Sequence, residues 1–207
     1  MSEIIYVLGA GGHAKVLIST LLDVGIVPDG VLDEDEKKHG KKILDVSIIG
    51  DFSLLKKQKN IKAIVAIGDN IIRSKIAQKY DVFVNWLNVI HSNAYVHRSV
   101  KIGRGSVIMA GAVIQPDVKI GEHVIINTSA SVDHDCIIKD HVHVAPGVHL
   151  AGGVEIGEGA FLGIASSAVP YVTIGDWSII GAGAVVTSNI PSKKMAVGVP
   201  AKIKKEL

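Results

Sequence analysis

Two short stretches of this chain carry residue types that do chemistry. The first is Gly9-Ala10-Gly11-Gly12-His13-Ala14. It fits G-x-G-x-x-G/A, and an acidic residue, Asp33, follows roughly 20 residues later. Glycines so spaced let a backbone approach a phosphate, and the N-terminus of a following helix stabilises its charge. The pattern points to a phosphate-bearing ligand. A plain structural turn is a second reading. A nicotinamide dinucleotide is a third, although residues 1–85 amount to only about half of the usual two-unit fold. The second stretch runs Asn127-Thr128-Ser129-Ala130-Ser131-Val132-Asp133-His134-Asp135-Cys136. A carboxylate beside an imidazole fixes its tautomer and raises its basicity, which suits a general base. An outward histidine is also an ordinary surface residue, and on the residues alone both readings stand.

The elements that must position these groups follow two rhythms. From Ile90 to Val186 every sixth residue is apolar. Chance gives that run about one time in 10⁵ for a chosen phase. The position four later is small or β-branched throughout, from Ala94 to Ala184. A solenoid of short strands explains both, with one aliphatic and one small side chain per hexad pointing inward. Three hexads per coil stack residues 18 apart in adjacent rungs, roughly 4.8 Å apart. Glycine often follows the aliphatic residue (Gly103, Gly121, Gly157, Gly163, Gly175, Gly181) and is expected to free the backbone at each corner. The column through His134 reads Pro116, His134, Gly152, Pro170, so a glycine lies one rung from the imidazole. Cys136 falls in a small interior slot, where it packs. His123 and His141 are 18 apart, so they are expected to stack on the exposed surface.

Ahead of the repeats, strand and helix alternate. Ile4–Leu8, Val31-Leu32, Ala63–Ile67 and Val82–Val84 read as strands. Residues 13–22 read as a helix with Val16, Leu17, Thr20 and Leu21 on one face. Residues 70–79 read as a second helix, with Ile72, Ile76 and Ala77 apolar. This is a small parallel α/β domain. The charged stretch Asp33–Lys42 reads as a solvated loop, and the boundary falls near residue 85. Beyond the repeats, Met195–Val199 is expected to return against the last coil. The nearby lysines suit either an anionic ligand or a solvated tail.

Composition narrows the function classes. The chain has 207 residues, 48 % hydrophobic, 20 % charged and only 4 % aromatic. A disordered chain is excluded. A net charge of +2 and few aromatics argue against nucleic acid. One cysteine offers neither a disulfide nor a zinc cluster. No apolar run approaches the ~18 residues of a membrane span. Met1-Ser2-Glu3-Ile4 lacks the features of a leader, so a soluble, cytoplasmic protein is expected. No two of the nine histidines are five apart, the spacing found in the zinc-dependent gamma-class carbonic anhydrases built on this repeat, so no metal is expected.

The hexads, the Gly198-Val199-Pro200-Ala201-Lys202 ending, the Asn127…His134-Asp135 cluster and Gly9–His13 together resemble one family over the whole chain. It is the left-handed β-helix sugar acetyltransferases, including the sialic-acid O-acetyltransferase-like proteins and the UDP-4-amino-sugar N-acetyltransferases. The resemblance implies a Rossmann-like nucleotide-sugar-binding domain over 1–85. It implies a left-handed parallel β-helix with a C-terminal extension over 86–207. It further implies a cytoplasmic homotrimer in glycan or polysaccharide biosynthesis, with active sites between neighbouring β-helices.

Under that resemblance His134 matches the general base and Asp135 its acidic assistant. Gly9, Ala10, Gly11, Gly12, His13, Asp33 and Asn127 match substrate-binding positions. His143, Gly152, Ile164 and Ala182 match positions that bind acetyl-CoA, the co-substrate, with the Gly152 N–H toward the acetyl carbonyl. The implied reaction acetylates the amino group of a UDP-4-amino-4,6-dideoxy sugar by direct attack. O-acetylation of a sialic acid and a non-catalytic scaffold are the alternatives. The family often has Glu at the position of Asp135, Ser at Gly11 and Gly at Ala14, so this chain departs from its pattern there.

Overall fold

The structure is a computed structural model describing residues 3–207; Met1 and Ser2, part of the N-terminal stretch read for a leader, lie outside the described residues. The chain opens on β1 (Ile4–Leu8), an apolar, β-branched run whose last residues are wholly buried. After the glycine turn comes α1 (Gly12–Asp23), which buries Ala14, Leu17, Ile18, Thr20 and Leu21. Val16, expected on that face, is 44 % exposed, and Ile18 takes its place. β2 (Gly30–Leu32) pairs parallel with β1.

The charged stretch that read as a loop contains a 3₁₀ turn at Glu36–Lys38, and past it lies a hairpin of β3 (Lys42–Ile43) and β4 (Val46–Gly50). Its two turn residues, Leu44 and Asp45, both have positive φ, 46° and 66°. A two-residue hairpin needs that geometry, but Asn-Gly is its usual sequence. Leu-Asp gives no such signal, so the hairpin was illegible. A short helix, α2 (Leu54–Lys57), follows, then β5 (Ile61–Val65), starting two residues earlier than read. α3 (Asn70–Tyr80) is capped by Asp69, whose carboxylate accepts from the Ile72 N–H at 2.8 Å. The strand expected at Val82–Val84 is a 3₁₀ turn (Asp81–Phe83) followed by β6 (Val84–Trp86). Val82 is 86 % exposed, so its apolar character marked no core.

The sheet order is β3-β4-β2-β1-β5-β6. Connections run one way from β1 and the other way to β5. That topological switch point opens a crevice beyond the C-terminal ends of β1, β2 and β5.

The remainder is a parallel β-helix of three faces. The first carries strands from Val89–Ile90 to Ile179–Ile180, the second from Tyr95–Val96 to Val185–Val186, the third from Lys101–Ile102 to Thr173–Ile174. Register is 18 throughout: Val107 faces Ile125, which faces His143, which faces Phe161. The hexad positions from Ile108 to Val186 are buried, and Ile90 is 38 % exposed at the open end. Each buried Ile or Val contributes about 1.5–3 kcal/mol relative to exposure.

The glycines act differently from the expectation. Left-handed backbone recurs at every sixth position from Gly105 to Gly183, two residues after the expected glycines, and Asp117, His123, Asp135, His141 and Trp177 occupy it too. Gly103, Gly157 and their equivalents are not left-handed. They sit where rungs nearly touch: a Cβ on Gly157 would lie 2.4 Å from the Asp176 backbone nitrogen.

The two parts share a core. Val89, Val107, Met109 and Ile125 point outward from the first face and pack with Leu17, Leu21, Val7 and Ile64. At the other end Lys194–Val197 extends the first face parallel to Ile179–Ile180, in keeping with the returning segment that was expected. Lys202–Glu206 pairs antiparallel beyond it and is exposed along its length.

Two alanine substitutions separate the roles of glycine. Gly147 has φ +66° and open space around it, so Gly147→Ala should cost about 1 kcal/mol. Gly157→Ala pushes against backbone and should cost up to about 3 kcal/mol. Urea midpoints should therefore place Gly157→Ala below Gly147→Ala; the reverse order would contradict the close-approach role.

Candidate active site

The glycine turn lies at the switch point. Gly9 has φ +105°, and a Cβ there would meet Ile67 at 2.7 Å. Asp33, at the end of β2, reaches back to accept from the Ala10 N–H at 2.6 Å, and Lys38 Nζ sits 3.1 Å from the same carboxylate. Burial raises the Asp33 pKa, but hydrogen bonds from the Asp35 N–H, Lys38 and the Ala10 N–H outweigh it and hold the carboxyl below its ordinary value. Asp33 thus pins the turn against β2. At the start of α1 the first-turn N–H groups are free of any side-chain cap, and no acidic residue stands in that turn. Such a helix start has the free N–H groups and the positive dipole end that suit an anion. The adjoining cleft measures about 520 Å³ and is lined by Gly9, Asp33, Phe52, Lys75, Lys79 and Tyr80 among others. Lys75 and Lys79 suit phosphates, the carboxylates of Asp33 and Glu34 stand beside them, and Phe52 and Tyr80, both buried, close the floor.

His13 leads from this turn to the domain junction. Its ring centroid is 6.2 Å from that of His143, on the first face of the β-helix. His143 Nδ1–H donates to Gly68 O at 3.1 Å, and Asn127 Nδ2–H donates to His143 Nε2 at 3.1 Å. Asn127 Oδ1 in turn accepts from the Thr128 N–H at 2.8 Å. Burial, then the charge of Arg73, pushes His13 down to about 4 and His143 down to about 3. Both are neutral near pH 7.

His134 stands apart from this junction, on the corner between the second and third faces. Its Nδ1–H donates to Asp135 Oδ2 at 2.8 Å, which leaves Nε2 bare. That Nε2 lies over Gly152: a Cβ there would be 2.6 Å away. The 18-residue arithmetic made the same juxtaposition. The Gly152 N–H has no protein acceptor among the described residues. The Asp135 hydrogen bond, with the charges of both flanking carboxylates, raises the His134 pKa. Asp135 occupies a left-handed corner position, φ 60°, which aims its carboxylate back at the preceding ring. Cys136 is buried, donates to Ala151 O at 3.2 Å, and burial pushes its thiol up to about 11. It is not a nucleophile.

Within the chain most of the expected residues form two groups. Gly9–His13, Asp33, Asn127 and His143 gather around the domain junction. His134, Asp135 and Gly152 sit on another corner. Asn127, Ile164 and Ala182 follow strands of the first face, so the whole second face separates them from His134. Ile164 is 58 % exposed and Ala182 is also exposed.

The expectation for His123 and His141 fails in part. Their rings do stack, 5.5 Å apart, but His123 is only 2 % exposed. Trp86 meets it edge-on at 4.8 Å, and Arg73 passes behind. Arg73 itself was missed: the helical pattern put Ile72 on the buried face, yet Ile72 is 48 % exposed and Arg73 1 %. One signal was available. Val89, Val107 and Ile125 are apolar where an outward residue should be polar, which marks a covered face. A larger cavity of about 780 Å³, on the far side of α3 beside Phe161, Trp177 and Lys193, contains none of the expected site residues.

Stacked hexads place this chain among the hexapeptide-repeat transferases, and residues 99–134 and 153–188 match the family described as bacterial transferase hexapeptide. Residues 4–80 match the PglD N-terminal domain. A mutant of perosamine N-acetyltransferase from Caulobacter crescentus, solved with CoA and GDP-perosamine, is 40 % identical with a TM-score of 0.94, covering 100 % of this chain and 99 % of that one. The acetyltransferase domain of PglB from Neisseria gonorrhoeae, solved with acetyl coenzyme A, is 34 % identical with a TM-score of 0.92, covering 99 % and 100 %. An uncharacterized protein of Acanthamoeba polyphaga mimivirus is 39 % identical over 105 residues, covering 51 % of this chain and 21 % of that protein. Matches to curated relatives span 21 % to 33 % of their length. The chain belongs to the hexapeptide-repeat acetyltransferases that carry a PglD-type N-terminal domain.

The buried histidines set a pH dependence of stability. Burial holds His13 down at about 4 and His123 and His143 at about 3 in the folded chain, against 6.5 for an ordinary imidazole. Between these limits the unfolded chain binds more protons, so stability falls as pH falls. At about 1.4 kcal/mol per unit, His13 alone accounts for roughly 3 kcal/mol by pH 4. Melting temperature should be level above pH 7 and drop steeply from 6.5 to 4. A flat profile over that range would contradict the burial of these rings.

Proposed function

We propose that this protein transfers the acetyl group of acetyl-CoA to the amino group of a nucleotide-linked 4-amino-4,6-dideoxy sugar. One observation carries the reading: His134 presents a bare Nε2 directly over Gly152, with Nδ1–H held by Asp135. Residues 1–85 bind the nucleotide sugar, with the diphosphate at Gly9–His13 and the start of α1. Residues 86–207 carry the transfer. Uridine diphosphate is the nucleotide that the resemblance implies. A guanosine diphosphate sugar is the second reading, because the Caulobacter relative was solved with GDP-perosamine.

In the proposed step the amine nitrogen attacks the thioester carbonyl and forms the new C–N bond. His134 Nε2 takes the amine proton, a role worth roughly 10²–10⁴-fold. The Gly152 N–H donates to the oxyanion, at about 3 kcal/mol for one donor. Collapse breaks the C–S bond, and the proton passes from His134 to the departing CoA thiolate. Asp135 keeps the imidazole in the right tautomer and stabilises its cation.

The two groups of residues lie on different corners, so a second copy of the chain is needed to bring them together. We therefore propose a homotrimer in which His134 of one β-helix faces Asn127, His143, Ile164 and Ala182 of the next. Acetyl-CoA lies along that groove. Such a protein belongs in the cytoplasm, in glycan or polysaccharide biosynthesis.

The test is thiol release from acetyl-CoA with UDP- and GDP-linked 4-amino-4,6-dideoxy sugars as acceptors. His134→Ala should lower turnover at least about 10²-fold with melting unchanged. Retention of a tenth of the activity would remove His134 as the base. Activity should rise with pH as His134 loses its proton, with an acid limb above the ordinary imidazole range. Asp135→Asn removes the group that favours the imidazolium, so this limb should move to lower pH while the plateau falls. An unmoved limb would separate Asp135 from the base. Turnover of a sialic acid alone would turn the reading to O-acetylation. Failure to bind acetyl-CoA would leave a scaffold.

A further inference from the structure

Arg73 is the largest fully buried side chain among the described residues, and its guanidinium touches no carboxylate. Its partners are backbone carbonyls and one amide. Nε–H donates to His123 O at 2.9 Å, and Nη1 to Ile67 O at 3.1 Å and Gly68 O at 3.3 Å. Nη2 donates to His141 O at 2.6 Å, Asn70 Oδ1 at 2.9 Å and Val142 O at 3.4 Å. A buried cation with no carboxylate in direct contact is costly even when its donors are satisfied, and only the charge of Asp69, acting through space, offsets its burial. An apolar side chain would join the two domains at less cost. The list of partners indicates what the cation does instead.

Gly68 O, which Arg73 holds, is the acceptor for His143 Nδ1–H. His141 and Val142, also held by Arg73, are the two residues before His143. The guanidinium therefore grips both ends of one hydrogen bond. Asn70 strengthens the grip: its Nδ2 donates to Gly159 O and Ala160 O, each at 3.0 Å, beside Phe161, whose ring meets His143 edge-on at 5.2 Å. With Nδ1 committed as a donor, Nε2 has no hydrogen and must accept. It accepts from Asn127 Nδ2, and Asn127 Oδ1 is taken by the Thr128 N–H. The amide is thereby held in one orientation, with a second Nδ2 hydrogen left to offer a ligand.

We propose that Arg73 is a positioning residue that locks His143 in the Nδ1–H tautomer and, through His143, orients Asn127 toward the acceptor sugar. The relay runs from Arg73 to Gly68, His143 and Asn127, and a carbonyl fixes each choice of donor. The other groups around His143 oppose its protonation or are neutral. His13 comes from α1, Arg73 from α3 and His141 from the same coil; Asp69, at the start of α3, is committed to its cap. The role of Asn127 rests on the acetyl-transfer reading above; the tautomer does not.

Two measurements test the two parts separately. Long-range ¹H–¹⁵N correlation of histidine-labelled protein at pH 7.5, with His143 assigned by its loss in His143→Ala, reads the tautomer without any substrate. The wild type should show Nδ1 protonated and Nε2 bare, and Arg73→Lys should show a mixture of both tautomers. An Nε2–H wild type, or an unchanged Arg73→Lys spectrum, would overturn the lock. Should Arg73→Lys not fold, Asn70→Ala, which removes one of the three Nη2 acceptors and the bonds to Gly159 O and Ala160 O, takes its place with the same expected mixture. The second measurement is a kinetic cycle. Arg73→Lys should raise the acceptor KM about tenfold with kcat little changed. In the His143→Ala background it should add nothing further. Equal effects in both backgrounds would show that Arg73 acts only as a weld. Loss of all turnover with every acceptor, beside a locked wild-type tautomer, would fault the activity and leave the lock standing.

Discussion

Everything in this molecule depends on a stacking register of eighteen residues. Each rung donates its N–H groups to carbonyls of the next, as from Val107 to Val124 and from Val113 to Ala130. The register decides which side chains meet. It sets His134 over Gly152, His141 over His123 and Trp177 over Gly159. An insertion of one hexad would rotate every later residue onto the next face and part His134 from its glycine. Such a chain changes length in whole coils or loses its site.

The register was legible because it is local and strict. Aliphatic side chains recur every sixth residue, and no other arrangement buries them all. The pairing of His134 with Gly152 could thus be drawn from arithmetic. The glycine turn and Asp33 were legible for a similar reason, since a phosphate-type turn imposes its own residue types. What escaped was contact between the domains. Helical periodicity offered Ile72 to the core, whereas the fold buries Arg73, because six acceptors wait there and no pattern in the sequence announces a carbonyl. His123 read as surface because its hexad position faces outward, and nothing local says that α3 and Trp86 lie over it. The β3–β4 hairpin escaped because Leu44-Asp45 adopts a backbone that Asn-Gly usually marks.

The site repeats this contrast. A histidine–carboxylate pair adjacent in sequence needs only a left-handed corner to close its hydrogen bond, and Asp135 supplies that corner. The junction around His143 needs two domains in contact. Its residues lie 16 to 75 positions apart in the hydrogen bonds that join them. Packing of Val7, Leu17, Leu21 and Ile64 against the first face therefore belongs to the geometry of the site as much as to stability.

A parallel β-helix is an open-ended template, and each terminal rung offers unpaired backbone to any extended chain. The last strand here, Lys202–Glu206, carries three lysines and a glutamate and is exposed along its length. It completes the hydrogen bonding of Lys194–Val197 by running antiparallel, against the grain of the coils. A further copy of the solenoid cannot continue the parallel stack across it without setting lysine against its own strands. Charge and reversed direction together give the growing ladder a defined end, and keep a fold built like a fibre from becoming one.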